Sequence, residues 1–358
     1  MTPFDHRDFD GHQLLAFRED RASGLRAIIA VHNTHLGPAL GGCRMFPYSS
    51  HERALSDVLR LSRGMTYKNA LAGLPYGGGK AVIIGDPRRH KSRELLLAMA
   101  EFVEGLAGQY ITAEDSGTGA ADMAVLAERT AYVSGVDNGD AGGDPSPVTA
   151  YGVFCGIRAA VAHKFRSDLS GVRVAVQGVG NVGYHLVEYL IGAGAQVSVA
   201  DINLDNVRRV VALGARAVDV GEVLFADVDV VAPCAMGGAI NPDSVDRIRA
   251  GVVAGSANNQ LATADMGQRL LQRNILYAPD YVINAGGVID VYYQLRRVRD
   301  RGQVLAHVER IGDTLVQIFR SSGSSREATS VIADRMAEAI FMGTGGGSHS
   351  SHPVEAVG

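Results

Sequence analysis

VRVAVQGVGNVGYHLVEYLIGAGAQVSVAD, residues 172–201, decides the fold. VRVAVQG is an apolar run of strand type that ends in glycine. Residues 181–193 read as an apolar helix, and AQVSVAD is a second strand ending in an acid. Gly178, Gly180 and Gly183 match G-x-G-x-x-G. That pattern alone is weak, but between strand and helix, with Asp201 closing the next strand, it is a dinucleotide-binding fingerprint. Gly178 is expected to allow the tight turn, Gly180 to let backbone approach a pyrophosphate, and Gly183 to pack helix on strand. Asn181 and Val182 open the helix whose N-terminus would face the phosphates. The Asp201 carboxylate would accept from an adenosine ribose and repel a 2′-phosphate, which favours NAD over NADP.

Working outward from there, the strands ARAV, VDVVAP, GVVAGSA and ILYAPD follow downstream, with helices between most of them, such as 262–272. Repeated strand–helix units imply a parallel, doubly wound sheet. Further helices are expected over about 288–300, 303–322 and 326–341. Upstream, residues 136–147 read as a loop and 148–165 as a helix, with Thr149 in its first turn, where free backbone N–H groups suit a polar ligand. Nearer the start, strands are expected at 13–19 and 25–34, helices at 51–69 and 92–107, and a glycine-proline loop in LGPALGGCRMFPY. The fold class is therefore α/β. A mixed-sheet substrate-binding and catalytic domain occupies residues 1–135, and a Rossmann-type parallel-sheet NAD-binding domain 136–325, with a cleft between them. The helix 326–341 is expected to pack back on the first domain, and 343–358 to form a flexible tail.

Composition excludes several classes. Apolar residues make up 46% and charged residues 20% of 358, ordinary for a globular chain. A net charge of −4 gives no reason to expect a nucleic-acid partner. The 44 glycines sit in short clusters, which points to tight turns near ligands and not to a repeat. Cys43, Cys155 and Cys234 are odd in number and widely spaced. They form neither a disulfide framework nor a zinc site, so a reducing, cytoplasmic compartment is expected. The start lacks an apolar signal segment, and no apolar run approaches the ~18–20 residues that span a bilayer. The tail histidines His349 and His352 lack further ligands, so no metal is expected.

The second informative stretch is MTYKNALAGLPYGGGK, residues 65–80. Pro75 and Gly77-Gly78-Gly79 forbid a continuous helix between Lys68 and Lys80. Lys68 is expected to close a helix and Lys80 to open a strand after a tight glycine passage, so that the two ammonium groups meet across a cleft. A lysine beside another cation in a dry pocket loses its proton more readily, which suits base chemistry. Asp115 in ITAEDSGTG, Asn258-Asn259 after GVVAGSA, and Asn284 after YVI all lie at strand ends, where ligands bind in open parallel sheets.

These stretches, with LGPALGGCRM, PSPVTAYGV, VADIN, APCAMGG, AGSANNQL and YAPDYVINAGGVI, resemble the glutamate/leucine/phenylalanine/valine dehydrogenase family over about residues 25–341. Within it the chain is most similar to the leucine dehydrogenases. The resemblance implies NAD-dependent, reversible oxidative deamination of an L-amino acid to a 2-oxo acid and ammonia, by a homo-oligomer. It implies that Lys68 binds the substrate carboxylate, that Lys80 activates water toward an imine, and that Asp115 shuttles protons. Gly42 and Asn259 would orient the amino acid, and Thr149 and Asn284 would contact the nicotinamide side. Leu40, Ala113, Val288 and Val291 would line an apolar side-chain pocket. Leu40 stands where glutamate-specific relatives carry a lysine, which argues for leucine, isoleucine or valine, because a substrate carboxylate without a partner there is costly. Pro75-Tyr76 and Asp290-Val291-Tyr292-Tyr293 depart from the leucine-type pattern and leave phenylalanine or tryptophan open as the alternative. A non-catalytic amino-acid or NAD sensor is a further alternative.

Overall fold

The computed structural model describes residues 2–136 and 144–343. Most of the predicted 136–147 loop and almost all of the predicted 343–358 tail lie outside the described residues. The described chain forms two sheets.

The first sheet has five strands: β1 (Leu14–Asp20), β2 (Leu25–Asn33), β3 (Ala39–Phe46), β4 (Gly77–Ile84) and β5 (Tyr110–Glu114), in the order β1-β2-β4-β3-β5. The β1–β2 and β2–β4 pairs are antiparallel, and β3 runs parallel to both β4 and β5, so the sheet is mixed. Helix α1 (His51–Leu71), N-capped by Ser50, covers one face. There its Ala54 and Val58 pack on Ile28, Ala30 and Val82. Helix α2 (Arg93–Glu104) covers the other, packing Leu95, Leu96, Met99, Phe102 and Val103 on Ala27, Ile29, Ala81 and Ile83. The short α3 (Ala120–Leu126) follows β5.

Two expectations are corrected here. LGPALGGCRMFPY is not a loop: Ala39–Phe46 is β3, an inner strand between β4 and β5. Lys80 does not open a strand after a glycine passage either, since Gly77-Gly78-Gly79 are themselves the first residues of β4. The reason is close approach. A Cβ on Gly78 would lie 2.0 Å from the backbone nitrogen of Thr66, so α1 rests its own backbone on the strand.

Helix α4 (Ser146–Phe165) leads to the second sheet. Its strands are β6 (Arg173–Gln177), β7 (Gln196–Ala200), β8 (Arg216–Ala217), β9 (Val230–Pro233), β10 (Val252–Val253) and β11 (Leu276–Tyr277). Every pairing is parallel, and the order is β8-β7-β6-β9-β10-β11. Counted from β6 this is 3-2-1-4-5-6, the dinucleotide-binding order, whose switch point lies between β6 and β9. Helices α5 (Asn181–Gly192), α6 (Leu204–Val211) and α7 (Asp265–Gln272) connect strands, whereas α8 (Asp280–Ile283) follows β11, so Asn284 closes a helical turn and does not lie at a strand end as expected. Helix α9 (Gly286–Leu295) ends short of the predicted 300, and α10 (Arg301–Ser325) and α11 (Thr329–Phe341) complete the chain. Helix α11 returns to α1, where Tyr67 donates to Glu338 (2.8 Å) and stands edge-on to Phe341. No helix among the described residues is long and apolar enough to cross a membrane.

Candidate active site

Side chains alternate along a strand, so pairing decides which residues share a face. Lys80 pairs with Ala30, and Gly42 pairs with Ala113. The β3–β4 register, Leu40 with Gly78 and Cys43 with Ala81, brings Gly42 level with Lys80. Lys80, Gly42 and Ala113 thus form one row on the α1 face, with Leu40 one step below and Arg44 one step above. Lys68 comes to the same face by a simple path. Helix α1 touches β4 where Thr66 meets Gly78, and each lysine lies two residues beyond that contact.

Lys80 is buried and its Nζ donates to Asp115 Oδ2. The other Asp115 oxygen accepts from Arg44 Nε at 2.9 Å and from the Ser116 N–H at 2.7 Å. Burial by itself would raise the Asp115 carboxyl, but Lys80 and Arg44 outweigh it and hold the group well below the usual carboxylate range. Lys68, half-buried in the last turn of α1, points its Nζ at Asn258 Oδ1, 3.5 Å away in the loop after β10. Burial pushes the Lys68 ammonium down to about 8, with the Lys80 charge adding to the effect and Asp280 and Asp115 opposing it. The two lysines therefore face one another's fields, with both carboxylates as counter-charges.

A cofactor cradle adjoins this site. Gly178, at the end of β6, has φ +90 and abuts Ala235, which follows β9 across the switch point. Gly180 caps α5, and a Cβ placed there meets nothing within 4 Å, which leaves room for a ligand against the helix N-terminus. Asp201 lies beside the glycine turn, its Oδ2 accepting from the Val179 N–H at 2.8 Å. Asn284 is buried, its Nδ2 donating to Ser256 O (3.0 Å) and Asn258 Oδ1 (2.9 Å), while its Oδ1 has no partner among the described residues. Thr149 stands close by: a Cβ on Gly287 would be 2.7 Å from its Oγ1. An open glycine turn at a helix N-terminus, an acid beside it and a buried amide oxygen without a partner among the described residues fit a nucleotide cofactor.

Residues 13–132 match the Glu/Leu/Phe/Val dehydrogenase dimerisation domain, and residues 143–204 and 202–301 match the Glutamate/Leucine/Phenylalanine/Valine dehydrogenase domain. The chain is 49% identical over 341 residues to leucine dehydrogenase of Geobacillus stearothermophilus, covering 94% of this chain and 93% of that one. The chain belongs to the glutamate/leucine/phenylalanine/valine dehydrogenase family. It is an amino acid dehydrogenase. It is also 48% identical to valine dehydrogenase of Streptomyces virginiae, over 93% of this chain and 94% of the relative. Among solved structures it resembles L-tryptophan dehydrogenase from Nostoc punctiforme, with 41% identity and a TM-score of 0.80 over 94% of this chain and 97% of that one.

In this amino acid dehydrogenase Leu40 and Ala113 are buried on the Lys80 face, and Val288 and Val291 are half-buried on α9. The two departures from the leucine-type pattern meet: the Tyr76 and Tyr292 rings stand edge-on with centroids 6.1 Å apart. The asparagine pair is divided in a way the sequence did not reveal. Asn259 adopts φ +51 and its carbonyl accepts from Gly238, while Asn258 turns its side chain to Lys68 and Asn284. Arg44 was missed entirely. The available signal was its place two residues after Gly42 on one strand face, which is visible only once LGPALGGCRMFPY is known to contain a strand.

Proposed function

We propose that this dehydrogenase carries out the NAD-dependent, reversible oxidative deamination of a branched-chain L-amino acid (leucine, and also isoleucine and valine) to the 2-oxo acid, ammonia and NADH. The observation that carries the reading is the Lys80–Asp115 contact on an apolar sheet face, with Lys68 above it at the end of α1. Lys68 serves as the cation for the substrate carboxylate. Lys80 takes a proton from the attacking water and returns one when the carbinolamine collapses, and Asp115 is its partner in that exchange. The backbone at Gly42 and the side-chain amide of Asn258, in place of the expected Asn259, orient the amino acid. Leu40, Ala113, Val288 and Val291 receive its side chain, where an acidic substrate would leave a charge without a partner.

NAD, when bound, supplies the hydride acceptor. Gly178, Gly180, Asn181, Val182 and Gly183 hold its pyrophosphate, Asp201 its ribose, and Thr149 and Asn284 its nicotinamide end. The dimerisation-domain match supports a homo-oligomer as the working form. Free, buried Cys43 and Cys155 support a reducing, cytoplasmic setting. The Tyr76–Tyr292 contact and the likeness to a tryptophan dehydrogenase favour one second reading, an aromatic L-amino acid as substrate.

The test mixes purified protein with NAD and a panel of L-amino acids and follows NADH absorbance. Leucine, isoleucine and valine are expected to turn over fastest. A higher kcat/KM for phenylalanine or tryptophan replaces the substrate assignment, no turnover with any apolar amino acid refutes the enzyme reading, and equal activity with NADP refutes the role given to Asp201.

A further inference from the structure

Asp115 is held from two sides, and only one of them belongs to the proton-transfer pair. Lys80 occupies Oδ2, and Arg44 Nε occupies Oδ1 at 2.9 Å. Arg44 also reaches the opposite way, where its terminal nitrogen donates to Asp57 Oδ2 on α1 at 2.9 Å. That same oxygen accepts from the Tyr48 hydroxyl at 2.6 Å. Arg44 is therefore a bar fixed between two carboxylates on two elements. It forms part of the wall of a cavity of about 880 Å³ on the side away from Lys80, lined also by Tyr48, Asp57 and Arg60.

We propose that Arg44 is a positioning residue for the deamination chemistry: it fixes Asp115 as an oriented carboxylate and remains its counter-charge at the moment Lys80 is neutral. This rests on the reading of Lys80 and Asp115 as the proton-transfer pair. The physical need is plain. When Lys80 gives up its proton, a buried Asp115 with no other cation would be an uncompensated charge, which is strongly unfavourable. Loss of the proton would then be opposed and the pair would hold it to higher pH. Arg44 removes that penalty because a guanidinium stays charged throughout the working range. Its planar fork also serves two carboxylates at once, which a lysine ammonium on a flexible stem does not reproduce.

The groups that face Asp115 from each packed element are few. Among the described residues, Lys80 from β4, Arg44 from β3 and Lys68 from the end of α1 share its face, while Cys43, Glu114 and Tyr110 stand at alternate strand positions turned to the other face and act on it only through space. Asp57 and Tyr48 lie behind Arg44. Arg44 and Lys80 are the two that donate to its carboxylate from side chains.

The experiment uses full-length R44Q, R44K, D57N and K80A, each assayed with NAD and the best amino acid of the panel. It reads kcat, KM and the pH profile of kcat, with NADH binding followed by fluorescence. R44Q is expected to lose about 10²-fold in kcat, as for a reacting group displaced by about 1 Å. Its acid-side limb is expected to move up by about 1–3 pH units, the usual effect of an adjacent opposite charge. NADH binding and the KM for NAD should stay at wild-type values. R44K, which keeps the positive charge, should recover part of the rate and return the limb toward wild type, and D57N, which removes a carboxylate behind Arg44, should move the limb slightly the opposite way. R44Q with a wild-type limb overturns the proposal, as does a lower rate with no movement of the limb. Should R44Q fail to fold, a D57N limb that moves up in pH, as loss of a cation would move it, overturns it. K80A separates the two levels. Wild-type turnover in K80A refutes the underlying site assignment, whereas a dead K80A beside an unaffected R44Q refutes only the role of Arg44.

Discussion

Gly42→Ala tests the geometry of the site most directly. Gly42 lies in the row between Lys80 and Ala113, and a Cβ there would stand 2.7 Å from the Glu114 carbonyl oxygen, 2.8 Å from the Asp115 Cβ and 3.1 Å from its Oδ2. Carbon atoms settle at about 3.5–4.0 Å, so the Asp115 side chain must retreat by roughly 1 Å, and β5 with it because the nearest atom is backbone. Two costs follow. Overpacking a tight core costs about 1–3 kcal/mol of stability. A misplacement of about 1 Å at a reacting group costs about 10²-fold in rate. The variant is expected to remain folded, bind NADH normally, and lose about 10²-fold in kcat for the preferred amino acid. The assay is steady-state NADH absorbance beside a urea melt. A stable G42A enzyme with wild-type kcat would show that Asp115 does not need its observed position and would refute the argument.

Gly78→Ala acts on the fold. The new methyl would meet the Thr66 backbone nitrogen at 2.0 Å, and a helix backbone cannot rotate away as a side chain can, so α1 must lift from β4. A loss of more than about 3 kcal/mol is expected, at the upper end of overpacking costs, and a urea midpoint equal to wild type would refute it. Lys68 offers a pH test. Burial brings its pKa down to about 8, so its ammonium predominates at neutral pH and is lost as pH rises through that value. With the 2-oxo acid as variable substrate and free ammonia held constant, kcat/KM is expected to fall about tenfold per pH unit above that point. Binding of the carboxylate favours the ammonium, so kcat should hold to higher pH; a flat kcat/KM profile through pH 8–10 would remove Lys68 as the anchor.

The parallel-sheet half was legible because its signals are local. A tight turn that only glycine fills cheaply, an apolar strand before it and an acid at the end of the next strand are all set within some thirty residues. The mixed-sheet half was legible only in its residue types. Its glycines and proline, read as breakers, concealed β3, because glycine in LGGCR answers to neighbours far along the chain: a Cβ on Gly41 would lie 1.9 Å from the Gly79 carbonyl. Of two adjacent asparagines, backbone conformation turned Asn258 and not Asn259 toward Lys68.

The sequence by itself therefore determined the fold class, the glycine turn after β6 and the charged residues Lys68, Lys80 and Asp115 to which the proposed chemistry is assigned. Propensity, patterning and turn chemistry act over a few residues, and these features need no more. Tertiary structure alone decided that β3 lies between β4 and β5. It thereby decided that Gly42 lets Asp115 come close beside Lys80 and that Arg44 reaches both Asp115 and Asp57. Strand pairing selects which alternate side chains share a face, and that choice depends on contacts between residues tens of positions apart.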